Sequence, residues 1–197
     1  MKNTIIKDTV HITIITLVAG LALGLVNEIT KDPIAEQEAK AKAEACKAVF
    51  ADADDFSEAI DLSNVDAVLA DAGLTGKADV EEALVAKKGG ESVGVVVTVV
   101  DHEGYGGDIK FTVGITNEST ISGLSILSIG ETAGLGMKAQ TTNWKDQFVG
   151  MSADAPLEYT KNGEEGKVDA ISGATVTTNA MTNGTNAAIA LYQSIQE

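Results

Sequence analysis

Residues 10–26, VHITIITLVAGLALGLV, carry no formal charge at neutral pH. With Ile5, Ile6 and Ile29 at the flanks, the run reaches the ~20 residues that span a bilayer. An apolar segment of this length must be covered by lipid or by a large protein core. A chain of 197 residues has room for one domain of usual size besides it. A cleaved signal peptide would have a shorter apolar core ending in a small-x-small site. Here the run continues into NEITKDPIAEQEAKAKAEA, which reads as a helix leaving the membrane, so an uncleaved single-pass anchor in membrane lipid is expected. Lys2 and Lys7 precede the span and only Lys31 follows closely. The positive-inside rule then places the N-terminus in the cytoplasm and the chain from about residue 30 onward on the outer face of the cell membrane. Gly20 and Gly24 form a GxxxG pair that would let a partner helix approach. His11, Thr13 and Thr16 are expected at the interface or bonded to a partner, not in a proton path.

The remainder is acidic. The net charge is −15, with 14 lysines and no arginine. Such a surface repels nucleic acid, which is excluded as a partner. Without arginine, the usual bidentate phosphate clamp is missing. A phosphorylated ligand would have to be held by backbone amides, lysine or a covalent bond. The single cysteine, Cys46, allows no intrachain disulfide and no cysteine-built cluster, and reads as a small apolar helix residue. His11 and His102 show no metal-ligand spacing, so no metal site is expected.

Three divisions are expected: an anchor over 1–30, a helical linker over 31–50 and a folded domain over 51–197. Pro33 suits a first helical turn, and the Ala, Glu and Lys that follow favour helix to residue 50. Residues 51–73 are acidic without clear period, and lack the spacing of a calcium loop. From Ser92 the texture changes. SVGVVVTVVD, DIKFTVGIT and STISGLSILSIG read as three β-branched strands, the first two joined by the turn HEGYGG. Short connections make the sheet antiparallel. Residues 177–195 repeat Ala180, Ala187, Leu191 and Ile195 on one helical face. The fold class is therefore α+β: one N-terminal transmembrane helix, then a domain with an antiparallel sheet flanked by helices.

Two glycine-containing stretches bear on chemistry. GLGMKA at 134–139 fits a dinucleotide fingerprint, but no βαβ unit surrounds it. In the longer GETAGLGMKAQTTNWKDQF, Gly130, Gly134 and Gly136 let a loop turn tightly and approach a flat ligand, beside Glu131 and Thr132. The second stretch is DAISGATVTTNAM, residues 169–181. Ser172, Thr175 or Thr178 is placed to cap the last helix. The same helix start would also suit a phosphate, because its amides are unpaired and its dipole end is positive. Gly173 and Ala174 leave room, and a threonine hydroxyl there is open to esterification.

The pattern Asp169, Ser172, Gly173, Ala174, Thr175 resembles the covalent flavin-attachment motif of the FMN-binding domain family. GETAGLG, 130–136, resembles that family's second signature, with Ala133 where proline is usual, a change that costs some loop rigidity. Gly104 with Tyr105–Gly107, and Asn143–Phe148, match in order, so the resemblance covers about residues 92–190. Within the family the chain is most similar to the G subunits of Rnf-type ferredoxin:NAD⁺ oxidoreductases, which translocate Na⁺ or H⁺. It is also similar to the usually longer C subunits of Na⁺-translocating NADH:quinone oxidoreductases. The resemblance implies FMN joined by a phosphodiester to Thr175, which serves as tether and not as catalytic nucleophile. It implies a Mg²⁺-dependent flavin transferase that uses FAD and reads a sequence including Asp169. It places Glu131, Thr132, Leu135 and Gly136 near the isoalloxazine ring, and Ser172 with the amides of Gly173, Ala174, Thr175 and Val176 at the phosphate. It makes the chain an electron-relay subunit among the other subunits of a membrane complex, with no complete active site of its own. Trp144 and Tyr105 are placed either to stack near the ring or to pack in the core. The contrasting expectation is an anchored acidic surface protein without cofactor.

Overall fold

The computed structural model describes residues 2–196, with side chains from Ile5 onward. The Lys2 side chain, on which part of the orientation argument rests, lies outside the described residues. The chain forms two units, Met1–Lys42 and Ala43–Glu197.

The first unit belongs to helix α1, Lys2–Val49. From Ile5 to Ile29 its apolar side chains are exposed, and by length and composition α1 meets the requirement for crossing a membrane. Hydroxyls within the apolar run are satisfied by the helix itself. Thr13 donates to Thr9 O at 2.8 Å and Thr16 to Ile12 O at 3.0 Å, so neither hydroxyl needs a partner from its surroundings. Beyond the run, Lys31 pairs with Glu28 at 2.5 Å. Pro33 does not open a new helix as expected but lies inside α1. Its missing N–H deprives the Ile29 carbonyl of its usual helical donor. The strong helix formers on either side carry the helix through.

The second unit is built on a five-stranded antiparallel sheet in the order β1-β2-β3-β4-β5. The strands are β1 Asp55–Ala59, β2 Ala78–Lys88, β3 Glu91–Asp101, β4 Ile109–Thr116 and β5 Ile121–Ser128. The last three are the strands read from sequence. Helix α2, Val65–Asp71, and the first two strands fill the acidic stretch and its sequel, where sequence periodicity gave no element. β2 presents Ala78, Val80 and Ala83 to the main core, a face made mostly of a good helix former, and Ala86 to the opposite side. Bulges at Val80/Glu82 and Ala86/Lys87 break its alternation. That combination conceals a strand.

β3 is buried on both faces. Val95, Val97 and Val99 enter the main core, while Val96 joins Cys46, Val49, Phe50 and Ala86 on the other side. The end of α1 can lie this close because the sheet is bare beneath it. A methyl group on Gly114 would sit 3.0 Å from both Val49 Cβ and Phe50 Cε2.

Helix α4, Thr175–Gln196, covers the main face. Ala180, Ala187 and Leu191 are buried as the spacing predicts, whereas Ile195 is exposed. Gly184 sets the approach: a methyl there would lie 2.6 Å from the ring of Phe111, itself wholly buried. Burial of an aromatic of this size contributes about 2–3 kcal/mol.

Between β5 and α4 run a 3₁₀ turn Gly136–Gln140, a short helix α3 Thr142–Lys145, a second 3₁₀ turn Asp146–Phe148, and a two-residue parallel pair, β6 Tyr159–Thr160 with β7 Val168–Asp169. The glycine stretch at 134–139 thus opens a 3₁₀ turn after an antiparallel strand, and no dinucleotide-binding βαβ unit forms around it.

Candidate functional site

Three loops meet where α4 begins. The first joins β3 to β4. At its root Asp101 is wholly buried, and its Oδ1 accepts the Glu103 N–H at 2.8 Å while Oδ2 has no partner. Burial pushes the Asp101 carboxyl up to about 7; the nearby Glu103 and Asp108 charges add to the rise, and the Glu103 N–H and His102 oppose it. His102 bridges Asp108 at 3.0 Å and Asp79 at 3.1 Å, and these carboxylates raise its pKa. Glu103 reaches α4, accepting from Asn183 at 2.9 Å.

These shifts fix the sign of a pH effect. A carboxyl raised in the folded state stabilises that state fully below its unfolded value of 3.8 and loses the contribution as pH rises through about 7. His102, raised above 6.5, adds a loss of the same sign toward the top of that window. Stability of the full chain in detergent, followed by urea unfolding through the fluorescence of its single tryptophan, should therefore decline between about pH 4 and 7 in this part of the molecule. Asp101→Asn, which fixes the neutral form, should flatten that slope. An unchanged slope would remove Asp101 from the account.

The second loop, 129–136, packs on the first. Gly106 N–H donates to Glu131 Oε1 at 3.3 Å, and Glu131 is 7% exposed. Gly134 has φ +77°, in the left-handed region that favours glycine.

The third is the segment leading into α4. Its backbone is braced at several points. Trp144 Nε1 donates to Asp169 O at 2.7 Å, and Gln147 Oε1 accepts from Asp169 N at 2.8 Å. Thr178 Oγ1 accepts from Ile171 N and donates to Ala174 O, both at 3.0 Å. Thr178, one of three candidates for the cap, therefore closes the segment from inside the helix. Gly173 has φ +79°, and a methyl there would lie 3.1 Å from Leu135 Cδ2, so the second and third loops touch. The first helical bond of α4 is Thr178 N to Ala174 O at 3.0 Å. The amides of Thr175, Val176 and Thr177 precede it, as unpaired donors at a helix start do.

Together the three loops enclose a cleft of ≈ 590 Å³. Glu131, Thr132, Leu135 and Gly136 line one side, and Gly173, Ala174, Thr175 and Val176 the other. These are eight of the residues singled out from sequence. Ser172 and Asp169 are exposed and outside the lining. Tyr105, 75% exposed, stands at the rim, whereas Trp144 is buried edge-to-face against Phe148 with ring centroids 5.4 Å apart. Of the two aromatics, only Tyr105 faces the cleft. Thr177 also lines it, a residue that sequence reasoning missed. Its position two residues after Thr175, in the first turn of the same helix, was the available signal.

The cleft suits a flat ligand carrying an anionic tail: mixed apolar walls, one buried carboxylate, and a helix start at one end. Sequence comparison agrees. Residues 104–190 match the family model described as FMN-binding domain, which defines the class of this molecule. Residues 1–49 match the model described as RnfG N-terminal region. The chain is 34% identical to the G subunit of the Na⁺-translocating ferredoxin:NAD⁺ oxidoreductase complex of Acetobacterium woodii, over 93% of this chain and 89% of that protein. It is 28% identical to the G subunit of the proton-translocating ferredoxin:NAD⁺ oxidoreductase complex of Clostridium ljungdahlii, over 95% of this chain and 91% of that protein. Among solved structures, Shewanella oneidensis NqrC is similar at 25% identity and TM-score 0.46, with 53% of each chain covered. The chain belongs to the G-subunit family of Rnf-type ion-translocating oxidoreductase complexes.

Proposed function

We propose that this chain is the electron-relay subunit of a membrane-bound ferredoxin:NAD⁺ oxidoreductase coupled to Na⁺ or H⁺ translocation, and that it carries FMN in the cleft as a phosphodiester on Thr175. The observation that carries the reading is the convergence of two stretches some forty residues apart in sequence, 131–136 and 173–177, on one cleft with Thr175 in its wall. Family membership supports the complex and the other subunits as partners. The exposed apolar surface of Ile5–Ile29 supports anchoring in lipid. The lysine pattern supports a cytoplasmic N-terminus and an outer-face domain.

The residues present fit the cofactor. Bound FMN supplies reversible one-electron chemistry. The chain supplies placement: Thr175 offers its hydroxyl, and the amides of Thr175, Val176 and Thr177 stabilise an anion at the helix start without any arginine. Glu131, pinned by Gly106, faces the cleft from the opposite loop. Leu135, Val176 and Tyr105 give the mouth an apolar rim. Asp169 has an exposed side chain on a fixed backbone, which leaves it open to recognition by a Mg²⁺-dependent flavin transferase. The Thr175 oxygen would attack the FMN phosphorus of FAD; the pyrophosphate bond breaks, AMP leaves and the hydroxyl proton is released.

Intact mass tests this. The full chain co-expressed with a transferase should gain the mass of one FMN less one water, and peptide sequencing should place the group on Thr175. An unmodified mass from the native complex, or a group on another residue, would end the proposal.

A further inference from the structure

Thr177 is 1% exposed, lines the cleft, and has a hydroxyl with no hydrogen-bond partner. Its neighbours show how unusual this is. Thr178, Thr182 and Thr185 of the same helix each donate to the carbonyl four residues back, at 3.0, 2.8 and 2.8 Å. The corresponding carbonyl for Thr177 belongs to Gly173, whose φ of +79° takes it out of the helical path. A buried hydroxyl left unpaired is costly enough that native proteins rarely keep one without a use. Its surroundings indicate the use. A methyl placed on Gly136 would lie 2.5 Å from both Thr177 Oγ1 and Glu131 Oε2. The hydroxyl and the carboxylate thus converge beside the same glycine. Glu131 commits its other oxygen to Gly106 N–H. The convergence lies against the 130–136 loop, and the neighbouring cleft walls, Leu135 and Val176, are apolar.

We infer that the Thr177 hydroxyl is a ligand of the flavin, hydrogen-bonding a heteroatom on the polar edge of the isoalloxazine ring beside Glu131. The inference rests on the reading that the cleft holds FMN. A bond to the ring, unlike one to the phosphate, alters the ring's electronic states and weighs differently on its oxidised and reduced forms.

The test compares wild type, Thr177→Val and Thr177→Ser as full-length protein in detergent, each with and without flavin. Flavinylation at Thr175 is first confirmed by mass, and wild type without FMN would overturn both the parent reading and this one. Given flavin, Thr177→Val should displace the visible absorption maximum and change the reduced-to-oxidised ratio at a fixed ambient potential by about three- to tenfold, with Thr177→Ser close to wild type. Melting should divide by state. Without flavin, Thr177→Val should melt no lower than wild type, because an orphan hydroxyl has been removed; with flavin it should melt lower. A flavinylated Thr177→Val with wild-type spectrum and ratio would overturn the assignment, as would equal destabilisation of both states, which marks a packing role. Thr177→Ala gives the same spectral readout if the valine does not fit.

Discussion

Thr175→Val should yield a folded, full-length and colourless protein. Valine keeps the branched shape and removes the oxygen that the ester needs, so covalent flavin falls from near one per chain to none. The fold should survive because the bonds that brace the segment come from Thr178, Trp144 and Gln147, while Thr175 itself is only half-buried. Thr175→Ser should restore attachment, since it returns the hydroxyl in the same backbone setting. In-gel flavin fluorescence after denaturation is the readout. Fluorescence retained by the valine variant would show that another residue bears the group; a valine variant that fails to fold while the serine variant folds would show that the Thr175 hydroxyl is needed by the fold itself and not only by the ester.

Gly106→Ala should damage the cleft from its far side. A methyl on Gly106 would overlap the Gly130 carbonyl oxygen, and would lie 2.7 Å from Gly130 C and 3.1 Å from Glu131 N. All three are main-chain atoms, so no rotamer relieves the clash and the two loops must part. Overpacking of this kind costs about 1–3 kcal/mol, on the order of 5 °C in melting temperature for a domain of this size. The separation also breaks the Gly106–Glu131 bond and frees the carboxylate that lines the cleft. Melting temperature and the flavinylated fraction should fall together. A variant that melts like wild type and is fully flavinylated would show that the loops have slack the structure does not suggest.

The elements legible in sequence were those with a local signature. The apolar run, the valine-rich strands and the last helix each announce themselves within a dozen residues, and both cleft-forming stretches are short motifs. What was hidden depends on partners far along the chain. β2 has an alanine face and two bulges, so only pairing with β3 makes it a strand. Pro33 reads locally as a helix start, yet α1 passes through it. Trp144 was open to two roles, and its bond to Asp169 spans 25 residues, beyond any pattern in sequence. The orphan hydroxyl of Thr177 depends on Gly173 leaving the helix, which composition does not reveal.

The bracing of the 169–178 segment has a consequence for how electrons can travel. Both main-chain polar groups of Asp169 are bound, and Thr178 stitches Ile171 to Ala174, so the backbone would give a flavin carried on Thr175, as proposed, almost no leash. This is the opposite of a swinging arm that ferries its cargo between stations. A redox centre mounted as proposed would be a fixed post on its own domain, and any change in its distance to the next centre would have to come from movement of that whole domain.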